Sequence, residues 1–228
     1  MKFEKFGKIP RLSRDIIITE KLDGTNAQIL IISKSDLVLY GAENNDPDYK
    51  REQSFVSDYC LFEKDNLYVF AGSRNRWLDT SSNGDNYGFA KWVQANEEEL
   101  LKLGEGRHYG EWYGKGIQRG YGLEEKRFAL FNVGKWHKSE KRLISINPKT
   151  KEEKYTEQCP SCCEVVPVLY QGPFDTAKIQ EQLVLLDWRG SVAVPGFKSA
   201  EGIIIWHSAS GKLFKKTIIG DSKPKSLA

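Results

Sequence analysis

Lys21 stands in the part of this chain whose residue types most favour covalent chemistry. It lies in Glu20-Lys21-Leu22-Asp23-Gly24-Thr25, between the apolar runs 16–18 and 29–32, so we expect it at the end of a strand beside an Asp-Gly turn. A lysine amine attacks an electrophile only when it is unprotonated, which burial, a neighbouring cation or a bound metal ion favours. The segment therefore fits a nucleophilic lysine. It also fits a β-hairpin with a solvated lysine, because Lys-x-Asp-Gly is common by chance.

Further polar motifs follow Lys21, each at the end or in the centre of a predicted strand. They contain the guanidinium, ammonium and carboxylate groups that hold phosphates, hydroxyls and metal ions. In chain order they are Gly72-Ser73-Arg74-Asn75-Arg76, Tyr109-Gly110-Glu111-Trp112, Phe128-Ala129-Leu130-Phe131-Asn132-Val133, Glu201-Gly202-Ile203-Ile204-Ile205 and Leu213-Phe214-Lys215-Lys216.

Together these motifs resemble the RNA ligase family of the covalent nucleotidyltransferase superfamily, which also contains ATP-dependent DNA ligases and mRNA capping enzymes. The resemblance runs from about residue 16 to residue 217. It implies an ATP-grasp-like nucleotidyltransferase fold, the adenylation domain of a ligase. It also implies that Lys21 attacks the α-phosphate of ATP, which forms lysyl-AMP and releases pyrophosphate.

The resemblance further implies nucleotide contacts for Glu20, Arg74 and Glu111. Glu20 corresponds to the position near the exocyclic amine of adenine, and the alternative is a solvated carboxylate on a strand. Arg74 corresponds to an arginine that meets phosphate, for which a permanently charged planar fork is suited. The alternative is that Arg74 and Arg76 are two surface arginines. Glu111 corresponds to the carboxylate that holds the ribose hydroxyls.

Phe131 is the residue that the resemblance assigns to stacking on adenine. Strand alternation sends Phe128 and Ala129 to opposite faces and puts Phe131 on the face of Ala129, so we expect Phe128 in the core. The family motif ends in Phe-Asp-Val or a similar sequence, and Asn132 takes the place of its aspartate. This departure leaves the stacking prediction intact.

Glu201 and Lys215 are the residues that the resemblance places beside the phosphates. A carboxylate lies next to a phosphate only if a cation lies between them, so Glu201 is expected to hold a hydrated Mg²⁺, or Mn²⁺, near Lys21. Lys215 would stabilise the charge that builds as pyrophosphate leaves. The usual second lysine of this motif is replaced by Thr217, and strand alternation points Lys216 away from Lys215.

Three residues are candidates for contact with nucleic acid. Asn26 corresponds to a position at which RNA ligases touch the strand, and an asparagine that stabilises the turn explains it equally well. Lys115 and Arg119 lie in segment 112–121, which mixes cations, aromatic residues and glycines. Such a segment could hold a single strand by stacking and phosphate contacts, or it could be a flexible surface turn.

The elements that must position these residues are mainly strands. Short apolar or alternating segments, separated by turn residues, predict an α+β fold with antiparallel β-sheets flanked by helices. Segment 138–158, which is rich in Lys and Glu, is expected to be an exposed hairpin or a mobile loop. The predicted strands are 15–20, 27–33, 36–41, 67–72, 107–113, 127–134, 164–170, 202–207 and 211–218.

Two helices are predicted. The first is capped by Asp85 or Asn86 and continues through an acidic run toward Leu103. The second begins near Asp175 and ends at Arg189-Gly190, because glycine is a common helix stop.

Composition and length indicate a soluble globular protein. The 228 residues include 34 Lys and Arg and 31 Asp and Glu, which gives a net charge of +3. This net charge is too small to predict nucleic-acid binding by itself. No apolar run is long enough for a membrane span and the N-terminus lacks the apolar part of a signal peptide, so we expect a cytoplasmic protein. We expect one nucleotidyltransferase domain over 1–220, a tail over 221–228, and no separate OB or C-terminal domain.

The cysteines allow two interpretations. Cys159 and Cys162 have the Cys-x-x-Cys spacing of half a zinc site, but a second Cys or His pair at ligand spacing is missing. We expect free thiols on a loop, with zinc shared between two chains as the alternative.

The prediction is therefore an ATP-dependent RNA ligase that transfers AMP from Lys21 to a 5′-phosphate end and seals this end to a 3′-hydroxyl. DNA or a hybrid duplex is an open alternative as substrate. A GTP-using or DNA-specific nucleotidyltransferase also fits the sequence, and so does a non-catalytic module that binds RNA ends. Because the last motif lies close to residue 228, we expect a protein partner to supply the clamp domain that many ligases use. The expected setting is a bacterial or phage-infected cell.

Overall fold

The computed structural model describes residues 3–37 and 55–220. Strands dominate, as the short apolar segments predict. The strands are β1 (Asp15–Lys21), β2 (Thr25–Ser33), β3 (Cys60–Lys64), β4 (Leu67–Ser73), β5 (Trp77–Leu78), β6 (Gly106–Gly114), β7 (Lys126–Leu130), β8 (Trp136–His137), β9 (Leu143–Ile146), β10 (Glu153–Tyr155), β11 (Glu157–Gln158), β12 (Cys163–Val165), β13 (Val168–Pro173), β14 (Gly202–His207) and β15 (Lys212–Thr217). The helices with both ends inside these ranges are α1 (Phe89–Ala95), α2 (Glu97–Leu101) and α3 (Thr176–Arg189). In the part of the chain described, no helix is long and apolar enough to cross a membrane.

The chain forms two compact units, and the first contains residues 3–22 and 166–220 of those described. Its sheet has the strand order β13-β1-β14-β15, and every neighbouring pair is antiparallel. Because side chains alternate along each strand, one face of β1 and β14 is apolar and packs against α3. This core consists of Ile16, Ile18, Leu183, Leu186, Ala200, Ile203 and Ile205.

α3 begins and ends as its sequence predicts. Asp175 is the N-cap, and its carboxylate accepts a hydrogen bond from the backbone N–H of Ala177 at 2.7 Å. Gly190 follows the helix with a φ of 89°, a left-handed value that glycine adopts without strain.

The second unit contains residues 23–37 and 55–165 of those described. Its main sheet has the order β12-β7-β6-β2-β4-β3, and β5 pairs with β4. β12 runs parallel to β7, and the other pairs are antiparallel. One face of this sheet packs against α1 in a core that includes Ala27, Ile29, Ile31, Val69, Ala71, Phe89, Val93, Trp112 and Phe128.

The first predicted helix is divided into α1 and α2. The N-cap residue of α1 is Gly88 and not the predicted Asp85 or Asn86, although the Asp85 carboxylate accepts hydrogen bonds from the N–H groups of Ala90 at 2.8 Å and Lys91 at 3.3 Å in the first turn. The division falls at Asn96, whose side-chain amide donates to the carbonyl oxygen of Trp92 at 2.7 Å. A side chain that bonds to the backbone in this way competes with the regular helix.

Two predicted strands have different bounds in the structure. Segment 164–170 contains parts of β12 and β13, which belong to different sheets. Pro167 lies between them and has no N–H with which to continue a ladder. Segment 127–134 is a strand only as far as Leu130.

Two other predictions concern surface segments. Segment 138–158 contains an exposed hairpin of β9 and β10, as predicted. In segment 36–41, residues 36 and 37 are helical, so the strand prediction is wrong there. The rest of that segment and the predicted tail over 221–228 lie outside the described residues.

Candidate active site

Lys21 is in direct contact with Glu201 in the first unit. β1 ends at Lys21, and its Cα partner on the antiparallel strand β14 is Gly202. Glu201 directly precedes Gly202, and Lys21 Nζ lies 2.5 Å from Glu201 Oε2. The two side chains are only 22% and 10% exposed. The structure therefore joins the predicted nucleophile to the predicted metal ligand.

Residue 202 must be a glycine because two strands approach each other closely there. A Cβ at this position would lie 2.2 Å from the carbonyl oxygen of Lys216 and 2.7 Å from Cα of Thr217. No side chain fits at such distances. On the other side of Gly202, the carbonyl oxygen of Glu201 accepts a hydrogen bond from the N–H of Ile218 at 3.0 Å. The Glu-Gly sequence thus holds the carboxylate at the end of the ladder.

Lys215 lies on the same face of the sheet as Lys21. The ladder of β1, β14 and β15 puts Lys21 and Thr217 in one cross-strand row, and Lys215 is two residues from Thr217 on the same side. Lys216 points to the opposite face, where its Nζ donates to Oε1 of Gln180 on α3 at 3.0 Å. Strand alternation therefore predicts the separation of the two lysines correctly.

Glu20 is buried on the face opposite to Lys21, with 1% of its surface exposed. Its carboxylate accepts hydrogen bonds from Ser191 Oγ at 2.6 Å and from the N–H groups of Val192 at 2.8 Å and Ala193 at 2.9 Å. Burial raises the pKa of Glu20, although these three hydrogen bonds favour the carboxylate. The alternative of a solvated strand carboxylate is therefore wrong. Contact of this side chain with adenine stays a prediction.

Asp23 and Gly24 do not close a β-hairpin, because β1 and β2 belong to different sheets, so the hairpin alternative is wrong. Side chains distant in sequence hold these two residues in place. The N–H of Asp23 donates to Tyr121 Oη at 2.8 Å, and Asp23 Oδ2 accepts from Arg119 Nε at 2.8 Å. The N–H of Gly24 donates to Glu111 Oε1 at 3.0 Å. Two consecutive residues are thus fixed by three long-range hydrogen bonds, and sequence reasoning missed all three.

Gly24 also needs to be a glycine. A Cβ there would lie 2.4 Å from the carbonyl oxygen of Trp112 and 2.8 Å from Cβ of Tyr113. The chain after Asp23 therefore lies directly against β6, which brings the Gly24 N–H to the Glu111 carboxylate.

Glu111 lies on the polar face of the second sheet. Cross-strand pairing puts Asn26, Glu111 and Ala129 in one row, on the face opposite to the apolar core. Tyr109 is two residues before Glu111 on the same face and is 47% exposed. Its ring was missed as a ligand-facing candidate, although the alternation of β6 could have identified it.

Phe131 follows β7 and keeps an exposed ring. Its N–H donates to the carbonyl oxygen of Tyr109 at 2.9 Å, so its backbone stays beside β6 after the strand has ended. Phe128 is fully buried in the apolar core, as alternation predicts. Of these two phenylalanines, only Phe131 offers a face for stacking.

Arg74 and Arg76 have different surroundings in the turn between β4 and β5. Arg76 donates to the carbonyl oxygens of Gly84 at 2.6 Å and Asp85 at 3.0 Å, so it holds a neighbouring loop. Arg74 is exposed and makes no hydrogen bond or ion pair with the described part of the chain. Arg74 is therefore the arginine of this motif whose guanidinium is not engaged by the described part of the chain.

Segment 112–121 is more ordered than its composition suggests. Its cations are paired, Arg119 with Asp23 and Lys115 with Glu124 at 2.8 Å. Its three aromatic residues are core residues, so the prediction that they stack on a single strand is wrong. These residues, each no more than 2% exposed, are Trp112, Tyr113 and Tyr121.

The strand register arranges the six motifs along the ends and faces of two sheets, and one family of known proteins matches the stretch that contains them all. Residues 14–217 match the RNA ligase family. The chain belongs to the RNA ligase family. None of the curated protein sequences matches this RNA ligase family member.

Solved structures of RNA ligase mutants from Naegleria gruberi are similar to this RNA ligase family member. An apo mutant and a mutant with ATP and Mn both have a TM-score of 0.48, and a mutant with AMP and Mn has 0.49. Each is 16% identical, and the alignments cover 90% of this chain and 49% or 50% of the other. The chain thus spans about half the length of the Naegleria protein.

Glu201 is the carboxylate that the sequence predicts as the ligand of a divalent ion. Among the described residues, no group of three or more His, Cys, Asp or Glu side chains could ligate a metal. Mg²⁺ often binds through only one or two carboxylates, together with substrate phosphates and water. The single carboxylate of Glu201 fits such a site.

The cysteines of this RNA ligase family member are free thiols. Cys159 and Cys163 are buried, and Cys159 Sγ donates to the carbonyl oxygen of Cys163 at 3.4 Å. A zinc ion shared between two chains stays an untested alternative.

Proposed function

We propose that this chain is the nucleotidyltransferase part of an ATP-dependent RNA ligase. The observation that supports the proposal best is the 2.5 Å contact between Lys21 Nζ and Glu201 Oε2 in a chain of the RNA ligase family. ATP is proposed because Glu20-Lys21-Leu22-Asp23-Gly24 and segment 109–119 have an RNA-ligase-like sequence. Glu201 would hold Mg²⁺ or Mn²⁺.

In the first step, Lys21 Nζ attacks the α-phosphorus of ATP. A P–N bond forms, the bond to the bridging oxygen breaks, and pyrophosphate leaves with the electron pair of that bond. The amine must lose a proton first, and Glu201 Oε2 is within hydrogen-bond distance to accept it. A divalent ion on Glu201 supplies positive charge beside the phosphates when it is bound. Lys215, on the same sheet face, would stabilise the leaving pyrophosphate.

The nucleotide would be held by four further residues. Phe131, whose ring is exposed, would stack on adenine, and Glu111 would accept hydrogen bonds from the ribose hydroxyls. Arg74 would bind phosphate with its exposed guanidinium. Glu20, whose carboxylate accepts three hydrogen bonds from residues 191–193, would lie at the adenine amine.

In the second and third steps, the adenylyl group activates an RNA end. An oxygen of the RNA 5′-phosphate attacks the adenylyl phosphorus, and the P–N bond to Lys21 breaks. A 3′-hydroxyl then attacks the activated 5′-phosphate, which forms the phosphodiester and releases AMP. Asn26, Lys115 and Arg119 are proposed to contact the strand. DNA or hybrid strands would undergo the same chemistry.

The test is the intact mass of the purified chain after incubation with ATP and Mg²⁺. We expect a gain of one adenylyl group on the wild type and none on Lys21→Ala. Pyrophosphate should reverse the gain in mass. A sample treated with pyrophosphate before the assay shows, by a loss of mass, whether an adduct had already formed during expression. GTP in place of ATP tests the alternative nucleotide.

The second candidate is a non-catalytic module that binds RNA ends. It is favoured by Thr217, which lies on the Lys21 face at the position where the family motif has a second lysine. Absence of an adduct with both ATP and GTP, in a protein that still binds RNA with a 5′-phosphate, would replace the ligase proposal by this one.

A further inference from the structure

The start of the described chain presents a regular row of exposed apolar side chains. Residues 3–12, named here the N-terminal strip, contain Phe3, Phe6, Ile9 and Leu12, each three residues after the previous one. They are 90%, 84%, 80% and 66% exposed, respectively. Single exposed apolar residues are ordinary, but four within ten residues at one fixed spacing suggest a binding role.

Each of the last three apolar residues follows a cation. Lys5 precedes Phe6, Lys8 precedes Ile9, and Arg11 precedes Leu12. All three cations are exposed, and residues 3–11 make no hydrogen bond or ion pair with the described part of the chain. The strip therefore combines three cationic and four apolar side chains with one carboxylate, Glu4, so its three positive charges and one negative charge give a net charge of +2.

The strip is attached to the first unit at one end. His207, itself 5% exposed, donates from Nε2 to the carbonyl oxygen of Leu12 at 2.8 Å. The carbonyl oxygen of Arg14 accepts from the N–H of Phe174 at 2.9 Å. Anything bound along the strip would therefore be held next to the strand that ends at Lys21, because β1 begins at Asp15.

The three-residue spacing determines in which backbone conformation the four apolar side chains lie on one side of the strip. In a β-strand, successive apolar residues at this spacing would fall on opposite faces. In an extended helix with three residues per turn, all four would lie along one edge and the three cations along the next. Gly7 and Pro10 both oppose an α-helix, and the described strip contains no regular helix.

We infer that the N-terminal strip is a binding site for single-stranded RNA. Lys5, Lys8 and Arg11 would contact phosphates, with release of counterions, and the rings of Phe3 and Phe6 would stack on bases. The inference rests on the proposed function for the identity of the ligand. It adds a site outside the six motifs.

An anionic membrane surface is the other kind of partner that could bind both cationic and apolar side chains. Segments that lie in a membrane interface are usually amphipathic α-helices, which satisfy their own backbone hydrogen bonds. The strip is not helical, and its two most exposed apolar residues are aromatic. These observations favour RNA as the partner.

The test compares two variants with equal loss of charge in the full-length chain. One carries Lys5→Gln, Lys8→Gln and Arg11→Gln, and the control carries Lys149→Gln, Lys151→Gln and Lys154→Gln on the exposed β9–β10 hairpin. Binding of fluorescein-labelled oligouridylate without a 5′-phosphate is measured by anisotropy over a range of salt concentrations. In the strip variant, the slope of log K against log salt should become less negative by about 2. Its binding at moderate salt should be weaker than that of the wild type by roughly tenfold or more. The control should bind like the wild type.

A second variant, Phe3→Ala with Phe6→Ala, tests the stacking contribution at constant charge. We expect binding about fivefold or more weaker. Equal binding by the wild type and both strip variants would overturn the inference, and so would an equal loss in the hairpin control. Binding of phosphatidylglycerol vesicles that depends on the strip, with RNA binding unchanged, would overturn it in favour of a membrane role. Formation of lysyl-AMP is assayed separately without RNA, so failure of the ligase proposal is distinguishable from failure of this one.

Discussion

Lys21 and Glu201 are 180 positions apart in sequence, yet Lys21 Nζ lies 2.5 Å from Glu201 Oε2. The contact arises because β1 and β14 are antiparallel neighbours and the end of one meets the start of the other. It holds the amine and the carboxylate side by side. A divalent ion held by Glu201 would supply positive charge beside the phosphates of a nucleotide bound at Lys21.

Glu201→Gln should slow adenylylation and change its dependence on the metal. Glutamine keeps the size of the side chain and removes the charge that would hold the ion, so we expect the rate of lysyl-AMP formation to fall about 100-fold or more. The concentration of Mg²⁺ that gives half the maximal rate should rise. Glu181→Gln on the exposed side of α3 is the matched control. An unchanged Mg²⁺ dependence in Glu201→Gln would show that the ion is held elsewhere.

Lys215→Gln and Lys216→Gln should differ strongly although they are neighbours. Lys215 shares a sheet face with Lys21, whereas Lys216 bonds to Gln180 on the other face. We expect adenylylation to be about 100-fold slower in Lys215→Gln and close to the wild-type rate in Lys216→Gln. Single-turnover measurement of pyrophosphate release provides the rates. Equal effects of both substitutions would mean that the two lysines act only through net charge.

Glu20→Gln should remove part of the pH dependence of stability. Burial raises the pKa of Glu20 above its ordinary value of 4.5, so the folded protein binds this proton more tightly than the unfolded chain does. The resulting stabilisation is complete below pH 4.5 and is lost as the pH rises through the raised folded pKa. The free energy of unfolding of the wild type, relative to Glu20→Gln, should therefore fall across this window in urea denaturation.

Ser191→Ala provides the second arm of this experiment. Ser191 donates a hydrogen bond that favours the ionised form of Glu20, so its removal should move the pKa of Glu20 further up. The window in which stability falls should then extend to higher pH. Identical pH profiles in the wild type, Glu20→Gln and Ser191→Ala would contradict a buried carboxylate that titrates.

Gly202→Ala should destabilise the first unit. The added Cβ would meet the carbonyl oxygen of Lys216 at 2.2 Å, so β15 must move away. We expect the free energy of unfolding to fall by about 1–3 kcal/mol, together with slower adenylylation because Glu201 is displaced. Gly7→Ala is the control, since a Cβ there meets no atom within 4 Å. Wild-type stability of Gly202→Ala in urea denaturation would show that the strands are not held this closely.

Local periodicity predicted most of the secondary structure that carries the candidate site. Alternation alone placed Phe128 in the core and separated Lys215 from Lys216, because successive side chains of a strand must point to opposite faces. The bounds of α3 were also predictable, since Asp175 and Gly190 act on the backbone within one turn of the helix. In each case the cause lies within a few residues of the feature.

Composition was a poor guide to which side chains are accessible. Trp112, Tyr113 and Tyr121 lie in a segment rich in glycines and cations, yet all three are buried. The alternative of a solvated Glu20 carboxylate is wrong, because residues 191–193 donate three hydrogen bonds to it. Burial depends on what packs against a segment, and that partner is distant in sequence.

The sequence by itself therefore determined the family, the residue types at the site and the direction of side chains along each strand. Tertiary structure alone decided that Lys21 meets Glu201, that Arg119 and Tyr121 hold Asp23, and that Glu111 binds the N–H of Gly24. The physical reason is that these contacts depend on strand order and register. Strand order and register are set when apolar faces from the whole chain pack together. Many apolar segments look alike in local sequence, so the sequence near one segment does not show which other segment it packs against.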